Sequence, residues 1–479
     1  MVKREGQTLE RQTLHRRFLR LVAPAAIAAI SLAVVGAFFA YALWPGPRSE
    51  VTGFSINVSA LGYLMVAVTV YYFALFLLTR IREPLLPRSS EFFMVLVVPA
   101  HNEELVIEDT LKSLTRLRYE HYRVIVMNDG SSDRTSELAH AFDKSGRVLV
   151  VDRGRDVAGQ GKGAVLNNAF EIVKEAAARG DAWLQGRSPD QIVICVVDAD
   201  GQLESNALAR VAPCFSDPAV GALQIPVRIA NARDGLIPRL QDLEFVGFSL
   251  YVQVARDHIG SVGLGGNGQF NRLSALLSLG RPPWTECLTE DLDIGLYLAE
   301  RGWRIRFRTG TFVAQQGLKN FYALLRQRTR WVQGNYQCFA HLPHLLVARK
   351  ARLIARLDLC VYLLLVFFVV VVTCSTGLLF ANVLGFVAIH NSTFAFLPDG
   401  PVRRVAYEIT GTGAIWVFLA TYQRNSPNAV PWWQVPAYGA LFAAYSYLGV
   451  VFTLWAWTRM LTKRNGWAKT PRLASEPVE

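Results

Sequence analysis

Long uncharged runs flank one large stretch in which apolar and polar residues alternate. Leu21 to Leu43 carries no charge and, at about 1.5 Å per helical residue, is long enough to cross about 30 Å of hydrocarbon. A basic arm with Lys3, Arg4, Arg11, Arg16, Arg17 and Arg20 precedes it, and Trp44-Pro45-Gly46-Pro47 follows where a signal peptide would carry small residues for cleavage. Ser59 to Thr79 is a second uncharged run, closed by Arg80 and Arg82. Uncharged runs return at Leu359 to Ile389 and at Val435 to Thr458, with a weaker one, Val405 to Gln423, that holds Glu408. The positive-inside bias sets the parity. A basic arm inside, the central stretch inside and a basic tail inside (Lys463, Arg464, Lys469, Arg472) are met if Leu359–Leu397 folds as a hairpin, which predicts six spans, with a re-entrant segment as the alternative. The predicted organisation is a cytosolic arm at 1–20, two membrane helices in 21–82, a water-soluble domain with interface helices at 90–345, three to four membrane helices in 357–459, and a cytosolic tail at 460–479. The expected location is the plasma membrane, multi-pass, with the soluble domain cytoplasmic.

Inside the soluble stretch, short apolar runs alternate with helical patterns. Phe92–Val98, Val124–Met127, Val148–Val151 and Ile192–Val197 read as strands; Glu103–Thr115, Thr135–Phe142, Gly163–Ala178 and Asn206–Phe215 read as helices. The alternation predicts an α/β domain with a mostly parallel sheet, whose functional loops lie at the carboxyl ends of the strands. Leu236–His258 and Gly317–Phe339 interleave apolar and basic residues, as helices of a membrane interface or packing helices of the domain do.

Composition narrows the function classes. Among 479 residues, 52% are hydrophobic and only 18% charged, below the roughly 25% usual for soluble domains, so a wholly soluble protein is excluded. Lys plus Arg number 50 against 38 Asp plus Glu, a net charge of +12. With long uncharged runs present, that excess points to an anionic membrane surface; no basic-aromatic recognition module suggests nucleic acid. Six cysteines without a C-x-x-C pair indicate neither a zinc site nor a disulfide framework.

The candidate chemistry is acidic and sits at strand ends. Asn128-Asp129-Gly130-Ser131 follows the second strand, where a carboxylate can accept hydrogen bonds from a nucleobase or ribose. Asp198-Ala199-Asp200 emerges from a buried-type strand; two carboxylates so placed are costly unless paired or metal-bound, and hard cations such as Mg²⁺ or Mn²⁺ take such ligands with substrate phosphates. Thr289-Glu290-Asp291 precedes a predicted helix from Leu292, with Thr289 or Asp291 as its N-cap. Gln327-x-x-Arg330-Trp331 lies in the second basic-apolar stretch.

Taken in order, Asp129, Asp198-x-Asp200, Thr289-Glu290-Asp291 and Gln327-x-x-Arg330-Trp331 resemble the membrane-embedded processive glycosyltransferases of family 2, which include cellulose, hyaluronan, chitin and poly-N-acetylglucosamine synthases. Val98-Pro99-Ala100-His101-Asn102-Glu103-Glu104 is similar to that family's opening motif, Gly161-Lys162-Gly163 to its segment near the donor's uracil and phosphates, and Gly265-Gly266-Asn267-Gly268 to its glycine-rich segment beneath the acceptor sugar. Asn128 departs from the family, many members of which carry a second Asp there. The resemblance implies a GT-A α/β fold inserted between transmembrane helices and an inverting transfer from a nucleotide-sugar, with a UDP-sugar expected. It implies donor contacts from Pro99, Ala100, Asn102, Glu103, Asp129, Lys162, Asp198, Gln327 and Arg330, and acceptor contacts from Gly266, Asn267 and Trp331. Mg²⁺ or Mn²⁺ on Asp198 and Asp200 is expected to neutralise the leaving diphosphate. Because a sugar hydroxyl is a poor nucleophile, a carboxylate must take its proton; Asp291 is the expected base, with Glu290 beside it. The reading drawn from this set is a hexosyltransferase that elongates and exports a β-linked polysaccharide, with a glycan acceptor, membrane lipids and accessory export subunits as partners. The alternative is a glycosyltransferase acting on a membrane lipid, since ceramide and diacylglycerol glucosyltransferases resemble the same motif set.

Overall fold

The computed structural model describes residues 70–81, 91–143, 146–154, 156–364 and 415–462. Its centre is a seven-stranded sheet ordered β3-β2-β1-β4-β8-β6-β9, where β1 is Phe93–Ala100, β2 Tyr122–Asn128, β3 Val148–Asp152, β4 Ile192–Val196, β6 Val220–Gln224, β8 Gln269–Arg272 and β9 Arg304–Phe307. The strand β1 shows why the sequence forms it. Met94, Leu96 and Val98 pack on one face with Ile107, Leu111 and Leu114 of the helix Ile107–Thr115. Phe93, Val95 and Val97 pack on the other with Val165, Leu166, Ala169, Phe170 and Val173 of the helix Lys162–Arg179. A strand covered on both faces reads as a continuous apolar run, and each fully buried side chain contributes about 1.5–3 kcal/mol.

The expected mostly parallel sheet is present with one antiparallel strand, and one helix starts later than its pattern predicts. The sheet is mixed, because β8 runs antiparallel to both β4 and β6 while the other pairs are parallel. Its residues Gln269-Phe270-Asn271-Arg272 are all buried, yet mostly polar, so apolar patterning does not reveal a strand there. The first helix begins at Ile107 rather than Glu103, because Asn102 takes the left-handed conformation at φ 53° and the Glu103 carbonyl closes a turn onto the amides of Val106 and Ile107.

A small sheet, β5 (Gln202–Leu203), β10 (Val313–Gln315) and β7 (Val227–Ile229), closes the carboxyl end of β4. The predicted interface stretches are helical. Leu236–Gly247 continues through a π-helical turn, Phe248–Gln253, into Val254–Ile259, and Phe321–Gln337 forms one amphipathic helix. Among the described residues one helix, Trp432–Leu461, is long and apolar enough to cross a membrane, with mean hydropathy 1.5. It packs along Phe321–Gln337, with Tyr336 and Trp457 rings 6.3 Å apart and Arg459 Nε donating to Gln333 Oε1 at 3.1 Å. The predicted span 21–43 lies outside the described residues; of the predicted spans 59–79, 359–389 and 405–423, the structure describes helical pieces at 70–78, 353–364 and 415–425.

Candidate active site

A cavity of about 770 Å³ opens at the carboxyl ends of β1, β2 and β4 and runs toward the helices Leu236–Gly247 and Phe321–Gln337. Every candidate residue from the sequence lines it except Asp200, which is buried just behind.

The end built by β1 and β2 carries Pro99, Ala100, Asn102, Glu103 and Asp129. Asn102 Oδ1 accepts from the Ser132 amide at 2.7 Å, and the Glu103 amide donates to Thr135 Oγ1 at 2.7 Å, so the two strand-end loops hold each other. Asp129 is buried and ion-paired to Arg153 Nη1, and the Gly159 amide donates to its carboxylate at 3.2 Å. Arg153 escaped the sequence reading, although it follows the end of β3 directly, where the strand-end rule would look. Asn128 has a physical reason: its Nδ2 donates to Asp152 Oδ1 at 2.6 Å, and its Oδ1 accepts from Ser131 Oγ at 2.5 Å. An Asp there would set a second carboxylate against Asp152.

At the middle of the cavity, Lys162 is the first residue of the 18-residue helix Lys162–Arg179, whose N-terminus therefore opens onto the cavity, favourable for an anion. Its Nζ lies 2.6 Å from Asp198 Oδ1 and 3.5 Å from Glu290 Oε1. Burial alone would lower the ammonium pKa, but the Asp198 and Glu290 carboxylates outweigh it and raise it, so the lysine stays charged. Asp200 Oδ2 accepts from the Gln316 amide at 3.2 Å, and Asn267 Oδ1 accepts from the Asp198 amide at 3.2 Å while its Nδ2 donates to Gln315. Asn267 thus braces the acidic loop. Asp198 and Asp200 offer oxygen ligands only, and Asp198, Glu290 and Asp291 set three carboxylates around one ammonium; that donor set and charge excess fit a hard divalent cation.

Asp291 sits in the first turn of the helix Glu290–Glu300, with Thr289 at the N-cap position. Gly266 adopts φ +69°, and a Cβ there would come within 2.8 Å of Asp291 Oδ2 and 3.6 Å of Lys162 Nζ, so only glycine permits this approach. Burial, then the neighbouring Glu290 carboxylate, push the Asp291 carboxyl up to about 7, against the pull of Lys162 and the Leu292 amide. A carboxylate with a pKa near neutrality suits a general base. Behind it, Asp293 accepts from Thr285 Oγ1 at 2.7 Å and contacts His341 Nε2 at 2.8 Å, in a buried group with Cys287 and Cys338 whose sulfurs are 3.8 Å apart. All five described cysteines are buried and free; Cys374 lies outside the described residues.

The far end is aromatic. Phe245, Phe248, Trp331 and Tyr362 line it, with Gln327 and Arg328; Arg330 lines the cavity from the same helix. Phe245 and Trp331 meet edge to face at 6.1 Å, and the Arg328 guanidinium lies 4.2 Å from the Trp331 ring centre. Gly334 lets this helix approach the acidic triplet: a Cβ there would fall 2.6 Å from both the Thr289 amide nitrogen and its Oγ1.

A family model described as "Glycosyltransferase like family 2" matches residues 92–334. A beta-monoglucosyldiacylglycerol synthase of Trichormus variabilis is 35% identical over 253 residues, 51% of this chain and 49% of that protein. A poly-beta-1,6-N-acetyl-D-glucosamine synthase of Staphylococcus aureus is 28% identical over 244 residues, 50% of this chain and 54% of that protein. The chain thus spans about half the length of these relatives. A solved mannosyltransferase from Pyrobaculum calidifontis, in complex with GDP-Man and Mn²⁺, superposes with a TM-score of 0.50 at 18% identity, covering 85% of this chain and 99% of that one, which shows a shared GT-A-like fold.

Proposed function

The chain belongs to glycosyltransferase-like family 2, and from that membership we propose that it transfers a hexosyl group from a nucleotide-sugar, with inversion, to a hydroxyl of a membrane lipid. The observation that carries this reading is the two-ended cavity: Asp291 stands between a cationic, acid-lined end suited to a nucleoside diphosphate and an aromatic end suited to an apolar acceptor. The 35% identity to a glucosyldiacylglycerol synthase supports the lipid acceptor over the polysaccharide expected from motifs alone. The apolar helix Trp432–Leu461, packed along the helix that carries Trp331, supports a membrane-bound enzyme.

The chemistry follows from the residues. Asp129, oriented by Arg153 and the Gly159 amide, accepts a hydrogen bond from the donor's base. Lys162 and Arg330 supply positive charge as the diphosphate leaves; the planar fork of Arg330 matches phosphate oxygens in a way an ammonium cannot. Asp198 and Asp200 would hold Mg²⁺ or Mn²⁺, which when bound neutralises diphosphate charge. Trp331 lies against the acceptor, and Asp291 takes the acceptor hydroxyl's proton as that oxygen attacks the anomeric carbon from the face opposite the diphosphate.

A polymer product is the second reading. The identity to a poly-beta-1,6-N-acetyl-D-glucosamine synthase favours it, and accessory export subunits belong to it alone. The test uses purified protein in mixed micelles containing diacylglycerol, with radiolabelled UDP-glucose, UDP-N-acetylglucosamine and GDP-mannose in turn. Label in a chloroform-soluble glycolipid is expected, with UDP-sugars favoured. Label only in a water-soluble, high-molecular-weight product would overturn the lipid reading.

A further inference from the structure

Glu244 lines the aromatic end of the cavity from the helix Leu236–Gly247, yet it belongs to none of the motifs above. Arg328 Nη2 donates to its Oε2 at 2.7 Å, and Tyr445 OH, from the long apolar helix, donates to the same oxygen at 2.7 Å. Both bonds fall on one oxygen, and the side chain remains a third exposed. An ionised carboxylate has several lone pairs and no proton to give, so what it presents to the cavity is a pure hydrogen-bond acceptor. Its natural partner is a hydroxyl, and an anion is repelled.

The charges around it sharpen the point. The Arg328 guanidinium is buried, paired to Glu244, and stacked on Trp331. Glu244 therefore cancels the positive charge that would otherwise stand at the acceptor wall, while Glu290 and Asp291 add negative charge at the cavity's centre. The other cationic groups lining the cavity, Lys162, which Asp198 and Glu290 hold, and Arg330, belong to the donor side in the mechanism above.

We infer that Glu244 binds a second hydroxyl of the acceptor, beside the one that Asp291 deprotonates, and makes the site select neutral, hydroxyl-bearing acceptors over anionic ones. This rests on the reading of a lipid acceptor and names its class: a headgroup of hydroxyls without phosphate. Arg328 and Tyr445 are positioning residues, holding the carboxylate toward the cavity.

The test compares monoacylglycerol, whose glycerol keeps a hydroxyl beside the attacking one, with phosphatidylglycerol, which carries hydroxyls beside a phosphodiester, as acceptors in neutral detergent micelles. Wild type is expected to use monoacylglycerol and discriminate against phosphatidylglycerol. Glu244→Gln keeps the shape, removes the negative charge and leaves Arg328 uncompensated. The KM for monoacylglycerol is expected to rise about tenfold, the scale of a lost hydrogen bond to a charged group, while that for phosphatidylglycerol falls. Tyr445→Phe, which keeps the carboxylate but loosens it, is expected to raise the monoacylglycerol KM about two- to fivefold without changing the preference. UDP affinity by calorimetry reports that each variant is folded. An unchanged ratio of the two acceptor KM values in Glu244→Gln overturns the inference. If label enters only polymer, the lipid reading falls separately, and Glu244 is judged on an oligosaccharide acceptor: a tenfold KM rise sustains the hydroxyl contact, and an unchanged KM removes it.

Discussion

The two ends of the cavity are built by different means. In the assignment proposed above, the donor end is made of loops at the carboxyl ends of β1, β2 and β4, each delivered by an apolar strand a few residues earlier. The acceptor end is made of helices, and its groups meet only through packing: Glu244 and Tyr445 are 201 residues apart in sequence. A sheet presents its chemistry locally, whereas a helical wall assembles it from distant stretches. Substitutions should therefore separate cleanly into those that disturb donor use and those that disturb acceptor use, with Asp291 between the two.

The largest effect is expected at that boundary. Asp291→Asn should lower kcat by about two to four orders of magnitude while UDP binding, followed by calorimetry, persists. Near-normal turnover in the folded variant would remove Asp291 from the base role. On the donor side, Arg330→Leu should lower kcat about 10²–10³-fold with little change in acceptor KM. Excess chelator should likewise stop turnover, and added Mg²⁺ or Mn²⁺ should restore it; full turnover in metal-free protein would show that Asp198 and Asp200 hold no needed cation.

A crossed pair tests the separation itself. Arg153→Ala frees Asp129 from its partner and should raise the donor KM about tenfold with acceptor KM unchanged. Trp331→Ala should do the reverse. If both variants raise both constants equally, the two ends are one site and the contrast fails.

The smallest effect concerns stability. With its folded pKa raised to about 7, Asp291 favours the folded state when protonated, and that contribution is fully present below the unfolded value near 4 and lost as pH rises through 7. In metal-free buffer at pH 8 the wild type thus carries a disfavoured charge that Asp291→Asn lacks. The variant's Tm should exceed wild type by about 2–5 °C at pH 8, with the gap closing below pH 4. A constant gap across that range would mean that ionisation is not its source.

The same contrast explains what the sequence made legible. The strands β1, β2, β3 and β4 were readable because apolar runs of four to seven residues stand out between polar flanks, and Asp129, Asp198 and Asp200 because a carboxylate at such an end is conspicuous. The strand β8 was not, since its buried Gln269, Asn271 and Arg272 answer to tertiary partners; Arg272, for example, donates to the carbonyls of Val220 and Phe215. Glu244 and its contacts with Arg328 and Tyr445 were invisible for the same reason: an ion pair across helices leaves no spacing in the chain. His341 is similar, because its contact with Asp293 depends on how the turn after Gln337 folds back onto the helix Glu290–Glu300. The long apolar helix was legible, since span length follows directly from composition.

The missing side chain at Gly334 has a consequence for how such enzymes can be recombined. Because the backbone there rests against Thr289, the segment that carries Trp331 and the segment that carries Asp291 share one surface with no room for independent adjustment. Residues 285–341 therefore behave as a single cassette. A chimera that imports a relative's donor loops between residues 91 and 200 leaves that cassette intact and should retain its acceptor choice. One whose junction falls between Asp291 and Gly334 joins two surfaces shaped in different proteins, and it should lose turnover even when both halves fold.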